Sequence, residues 1–133
     1  MFPMTRALVL LCAALAAAAL TATAISAARA KTDLQITVWP KGENGTSHRF
    51  TLRCQPVGGS LPNRARACRM LLAQAKPFEA VPKVAICTAQ FGGPQVATVR
   101  GRFRGKLVNA RFEQRNGCEI SRWDRVRLLF PLG

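Results

Sequence analysis

Cysteine is the residue type in this chain with the most distinctive chemistry. Four cysteines follow residue 30, and they are Cys54, Cys68, Cys87 and Cys118. No two of them form the C-x-x-C pair that is typical of a zinc site, and His48 is the only histidine. An even number of cysteines in a short chain is more typical of disulfides in an exported domain. Two disulfides would use all four thiols, so a cysteine nucleophile is not expected, and three pairings are open.

The remaining polar residues do not form a recognisable catalytic pattern. A Ser-His-Asp set could be assembled only from Ser47 or Ser121 with His48 and Asp124, and no nucleophile-elbow motif surrounds either serine. The six carboxylates are scattered, and no glycine-rich phosphate loop is present. The residues therefore favour a binding protein over an enzyme, with no catalytic residue, metal or cofactor.

The first 30 residues are typical of a secretory signal peptide. A short basic start is followed by an apolar run from Ala7 to Leu20, and Ala28-Arg29-Ala30 provides the small residues of a cleavage site. The apolar run is shorter than the roughly 20 residues that a membrane span needs. We therefore expect residues 31–133 to be one secreted, extracellular domain with no attachment to a membrane.

The expected mature chain is strongly basic. Of the 20 lysines and arginines, Arg6 and Arg29 would be removed with the signal peptide. The mature chain would then contain 18 basic and 6 acidic residues. Such a charge attracts polyanions, although a solvated basic surface is the plainer interpretation. Nucleic-acid binding would need exposed aromatic residues between the basic ones. Strand alternation turns Phe103 away from its neighbouring arginines, so no nucleic-acid partner is expected.

Alternating apolar and polar residues predict the elements that must position these side chains. Five segments alternate as strands with one buried face, and one amphipathic segment with a proline at each end predicts a helix. The predicted fold is therefore α+β, a two-layer sandwich with helices on one face of a five-stranded antiparallel sheet. The predicted strands are residues 33–40, 49–54, 95–105, 106–113 and 125–130, the helix is 62–77, and a short helical turn falls within 116–124.

Several stretches resemble the subtilisin inhibitor-like family of secreted bacterial protease inhibitors. These are CQPVGGSLPNRARAC at 54–68, ICT at 86–88, VATVRGRFRGKLV at 96–108 and FEQRNGCE at 112–119. The resemblance covers nearly all of residues 31–133. It implies a five-stranded antiparallel sheet with helices on one side, usually in a homodimer. It also implies the disulfides Cys54–Cys68 and Cys87–Cys118.

The same resemblance implies that the segment after Cys87 is a reactive loop, which a serine protease takes as a substrate. The scissile bond would be Ala89-Gln90. Ile86, Cys87 and Thr88 would contact the protease before that bond, and Phe91 would contact it after the bond. The small Ala89 favours a subtilisin-like or elastase-like target over a trypsin-like one, because it offers no cation to a trypsin-type pocket.

One departure from the family pattern lies beside this bond. Phe91-Gly92-Gly93-Pro94 stands where the family commonly has Tyr-Asp-Pro, and two glycines are expected to loosen the loop and weaken inhibition. Three other interpretations stay open. The loop could be tied down only for stability, the scaffold could be a non-inhibitory basic interaction protein, or the target could be a metalloprotease.

Overall fold

The computed structural model describes residues 31–132, so the predicted signal peptide lies outside it. Four strands form one antiparallel sheet in the order β2-β1-β3-β4. None of the helices in these residues is long and apolar enough to cross a membrane. The elements are β1 (Thr32–Trp39), β2 (His48–Cys54), α1 (Arg64–Leu72), β3 (Gly93–Phe103), β4 (Lys106–Gln114), α2 (Gly117–Arg125) and a 3-10 helix (Arg127–Leu129).

The alternation of the four strands is confirmed by their burial. In β1, Leu34, Ile36 and Val38 are fully buried, while the residues between them face outward. β3 and β4 form the long hairpin that the sequence predicts. Their turn places Arg104 at φ 49° and Gly105 at φ 80°, the conformation of the two-residue turns that suit twisted strands.

Both helices cover the same face of the sheet, as predicted. Buried side chains from α1, α2 and the 3-10 helix join the inward residues of all four strands in one core. Trp123 and Phe112 each contact the Phe130 ring, with centroids 4.4 Å and 5.2 Å apart. Within residues 31–132 the opposite face of the sheet carries no helix, and its outward side chains are mostly polar. The structure is therefore a two-layer α+β fold.

The prediction of a fifth strand at residues 125–130 is wrong. Residues 127–129 form a 3-10 helix, and the sheet has four strands in the described chain. Val126, Leu129 and Phe130 are buried, which is a helical spacing. α2 runs to Arg125, so the first residue of the predicted strand belongs to a helix.

The first helix is shorter than predicted. It ends at Leu72, five residues before the proline that was expected to stop it. The Arg104 guanidinium donates hydrogen bonds to the carbonyl oxygens of Leu72 at 2.6 Å and Gln74 at 2.8 Å. These bonds satisfy carbonyl groups that a longer helix would have paired internally. The chain from here to β3 has no regular structure, and it contains the predicted reactive loop.

Candidate functional site

The segment from Pro82 to Gly92 is the most exposed apolar part of the described chain. Ile86 is fully exposed, the Val84 side chain is 91% exposed, and that of Phe91 is 68% exposed. Thr88, Ala89 and Gln90 are exposed as well. Solvent-exposed apolar side chains with polar residues around them are typical of a protein interaction site.

A disulfide fixes the middle of this segment. Cys87 is bonded to Cys118 in the first turn of α2, with their Cα atoms 5.4 Å apart. The second disulfide joins Cys54 at the end of β2 to Cys68 in α1. The two pairings are those that the family resemblance implies, and they fit a protein that folds in an oxidising compartment.

Gly117 provides a second contact beside the Cys87–Cys118 disulfide. Its amide donates a hydrogen bond to the Thr88 carbonyl oxygen at 3.1 Å. A Cβ atom at Gly117 would overlap Thr88 Oγ1, so the absence of a side chain lets the two backbones approach. Asn116 caps α2 by accepting a hydrogen bond from the Glu119 amide. The start of α2 therefore supports the residue just before Ala89.

A third contact holds the chain after Ala89-Gln90. The Gly92 amide donates to the Gln114 carbonyl oxygen at 2.7 Å, and Gly93 pairs with the same residue at the start of β3. A Cβ atom at Gly92 would lie 2.9 Å from the Ile120 Cδ1 atom. A side chain at Gly92 would therefore require the side chains of Gln114 and Ile120 to shift, and both glycines are tied to β4. This arrangement differs from the loose glycine pair that the sequence suggests.

Arg122 holds the chain that leads into the loop. Its guanidinium donates to the carbonyl oxygens of Glu79 at 2.7 Å and Phe78 at 3.4 Å, and to that of Arg111 in β4 at 2.6 Å. The side chain is only 4% exposed, and its Cζ atom lies 4.0 Å from the centroid of the Phe112 ring. One buried cation thus joins β4, α2 and the irregular segment.

Burial sets the electrostatics of this arginine. Loss of water lowers the pKa of Arg122, while the nearby Glu119 carboxylate, 3.4 Å away, opposes that effect. The bonded carbonyl groups replace much of the lost hydration, as a buried charge requires. Arg122 is therefore a fixed structural cation, and the loop that it supports carries no charged residue between Val84 and Phe91.

The comparison with known proteins identifies the family. A family model described as subtilisin inhibitor-like matches residues 30–116. The chain belongs to the subtilisin inhibitor-like family. Kexstatin-1 from Streptomyces platensis is 33% identical over 99 residues, which is 69% of this chain and 68% of that protein. The resemblance found in the sequence is confirmed, and the chain is a protease inhibitor.

The family match includes the whole exposed segment and ends just before α2. The structure places the predicted contact residues 86–91 together on this segment. Among the residues weighed for catalysis, no hydrogen bond links His48 to Ser47, Ser121 or Asp124 in the described chain. Residues 31–132 also contain no group of three side chains that could hold a metal ion.

Sequence reasoning missed Arg122 and Gly117 as supports of the loop. One signal was available for the arginine. Cys118 and Arg122 are four residues apart in a helical segment, so they share one face, and Cys118 was already expected to bond to the loop. The approach of Gly117 to Thr88 left no comparable signal, because a glycine before a helix has many possible causes.

Proposed function

We propose that the chain is a secreted inhibitor of serine endopeptidases and that Ala89-Gln90 is its reactive bond. The observation that supports this most is the exposure of residues 84–91 on a backbone held at both ends. Cys87 and Thr88 are anchored to α2 on one side, and Gly92 is anchored to β4 on the other. A loop that is already ordered loses little conformational entropy on docking, so its contacts translate into affinity.

The same anchors explain how a substrate-like loop inhibits. A protease serine would attack the Ala89 carbonyl carbon and release the Gln90 amine, forming an acyl-enzyme. The Gly92 contact with Gln114 keeps that amine close to the ester, so it can attack the ester and re-form the peptide bond. Religation then competes with attack by water, and the protease remains occupied.

Ala89 and Ile86 define the expected target. An alanine methyl group fits a small or shallow apolar pocket, and it leaves the carboxylate of a trypsin-type pocket without a cation. Ile86 would fill a hydrophobic outer pocket of the kind found in subtilisin-like clefts. Ala89 itself buries little area, and at about 25 cal/mol per Å² it contributes less than ~2 kcal/mol. Most of the affinity must therefore come from the ordered loop and from Ile86.

Inhibition constants of the purified 31–133 protein test this proposal. Subtilisin and elastase should be inhibited more tightly than trypsin, and Ala89→Lys should shift the preference toward trypsin. Ala85→Lys is the matched control, because it adds the same charge at another exposed alanine of the loop. Tighter inhibition of trypsin by the unmodified protein would contradict the assignment of Ala89. Inhibition of a metalloprotease alone would contradict the serine-protease target.

A homodimer belongs to this proposal because the family resemblance implies one. Sedimentation of the 31–133 protein at several concentrations and salt levels measures it directly. A species of one chain's mass at all concentrations would remove the dimer from the proposal and leave the loop assignment intact.

A further inference from the structure

The chain just before the proposed reactive bond is exposed and weakly held. Residues 82–86 are all exposed, and none of them belongs to a strand or a helix. Within the described chain, residues 80–86 take part in a single backbone–backbone hydrogen bond, which the Ala85 amide donates to the Pro82 carbonyl oxygen at 3.0 Å. Local opening of this segment therefore costs little free energy, and exposed segments of this kind are preferred sites of proteolytic cleavage.

Lys83 is the one basic residue of this segment. Its side chain is exposed and forms no ion pair within residues 31–132. A lysine offers a trypsin-type pocket the cation that Ala89 does not provide. The segment and the proposed reactive bond are therefore suited to proteases of different specificity.

Between β1 and the 3-10 helix, the other basic residues outside strands and helices are held more firmly. Lys76 is followed by Pro77, whose nitrogen carries no hydrogen. Lys41 lies in the turn that joins the paired strands β1 and β2, and two backbone hydrogen bonds close that turn. The guanidinium groups of Arg104 and Arg115 are bound to backbone carbonyl oxygens and to a carboxylate, respectively. The first cut by a trypsin-like protease is therefore expected in the segment 80–86.

The disulfides give a cut at Lys83-Val84 a different outcome from a cut at Ala89-Gln90. The Cys54–Cys68 disulfide lies wholly before Lys83-Val84, and the Cys87–Cys118 disulfide lies wholly after it. Cleavage at Lys83-Val84 therefore leaves two fragments with no covalent link. Cleavage at Ala89-Gln90 would leave the two cysteines of the second disulfide on different fragments, so those fragments would stay joined.

The two fragments of the first cut are the two halves of the fold. Residues 31–83 contain β1, β2 and α1, and residues 84–133 contain β3, β4, α2 and the 3-10 helix. The halves meet in the sheet, where β1 and β3 pair over seven residues. Beside the cut itself they share only the bond between Ala85 and Pro82, so the new amine is not held against the acyl-enzyme. Water then completes the hydrolysis, and the cut is permanent.

We propose that Lys83-Val84 is a cleavage site for trypsin-like serine proteases and that cleavage there ends the inhibition. The protease serine attacks the Lys83 carbonyl carbon, and the bond to the Val84 nitrogen breaks as that nitrogen gains a proton. Water then hydrolyses the ester, which leaves a carboxylate on Lys83 and an ammonium group on Val84. Ile86 becomes the third residue of a free end that Arg122 no longer supports. The loss of inhibition rests on the proposed function, whereas the cleavage itself does not.

Limited digestion of the 31–133 protein with trypsin tests the proposal. Mass spectrometry without a reductant should find 31–83 and 84–133 as separate first products. After trypsin is blocked, the cut protein should inhibit subtilisin at least about tenfold more weakly, because its loop is no longer ordered before docking. Lys83→Gln should slow cleavage between residues 83 and 84 at least about a hundredfold. Lys41→Gln is the matched control, since it removes the same charge from another exposed turn and should be cut like the unmodified protein.

Several results would overturn the proposal. A first cut at another basic residue, or a chain that trypsin leaves intact, would remove the cleavage site. Full inhibition of subtilisin by the cut protein would show that the cut does not end inhibition. Absence of subtilisin inhibition before any cut would contradict the proposed function instead, and the fragment masses would still decide the cleavage site.

Discussion

Replacing Arg122 with methionine should destabilise the domain and disorder one end of the loop. The methionine chain keeps the apolar contact with Phe112, but it removes the donors to the carbonyl groups of Phe78, Glu79 and Arg111. It also leaves Glu119, which is 12% exposed, without its cation.

The expected loss of stability follows from these contacts. Hydrogen bonds from a charged group contribute about 1.5–3 kcal/mol each, and removing one partner of a buried pair costs about 3–5 kcal/mol. These figures are not additive. The variant also avoids the free-energy cost of desolvating the arginine, so the net loss of stability is smaller than their sum. We therefore expect a loss of about 3 kcal/mol, or a fall in Tm of roughly 10–20 °C for a domain of this size.

Urea or thermal unfolding measures this loss, with Arg125→Met as the matched control. Arg125 is in the same helix, is exposed, and makes no side-chain hydrogen bond or ion pair in the described chain. Its replacement should change stability by less than about 0.5 kcal/mol. Equal effects of the two substitutions would refute the structural role given to Arg122.

A double-mutant cycle on subtilisin inhibition tests the effect on the loop itself. The backbone bonds of Arg122 lie on the N-terminal side of Ile86, whereas the chain after Gln90 is held by Gly92. The energies of Arg122→Met and Ile86→Ala should therefore couple by at least about 0.5 kcal/mol, and those of Arg122→Met and Phe91→Ala should add. Equal coupling at both ends would show that Arg122 acts only through overall stability.

Two further predictions concern single contacts. Gly117→Ala should weaken inhibition about tenfold or more, because its methyl group would overlap Thr88 Oγ1. Adding Thr88→Ala to this variant should restore part of the loss. An unchanged inhibition constant in Gly117→Ala would contradict this packing. The hydrogen bond from Arg111 lowers the pKa of Glu43 below its ordinary value of 4.5. The pair therefore stabilises the fold at pH values above 4.5, and this stabilisation is lost as the pH falls through the lowered pKa. Carboxyl NMR of Glu43 measures the midpoint, and a midpoint at or above 4.5 would contradict the contact.

Strand alternation predicted the four strands of the sheet because each has one buried and one exposed face. The same pattern failed at residues 125–130, where Leu128 and Leu129 are adjacent and the buried residues follow a helical spacing. Local periodicity over six residues does not separate a short strand from a helical turn that packs on a core.

The loop could be located from its cysteine and its family pattern, but its supports could not. Arginine is almost never fully buried unless it is paired, so its residue type argued against an interior position for Arg122, and only its helical spacing from Cys118 pointed the other way. Its partners Phe78 and Glu79 contribute backbone oxygens, which every residue possesses. The space at Gly92 likewise depends on Ile120, which is distant in sequence and meets it only in the folded chain.

Apart from Cys87, the loop is held entirely through its backbone. Arg122 bonds to carbonyl oxygens, Gly117 bonds to the Thr88 carbonyl oxygen, and the Gly92 amide bonds to Gln114. The side chains of Ile86, Ala89 and Gln90 take no part in holding its shape. Under the proposed function, descendants of this protein could therefore change these residues, and with them the protease that they recognise, without evolving a new scaffold. When selection favours recognition of a new protease, the sequence of the loop can diversify while its conformation is inherited.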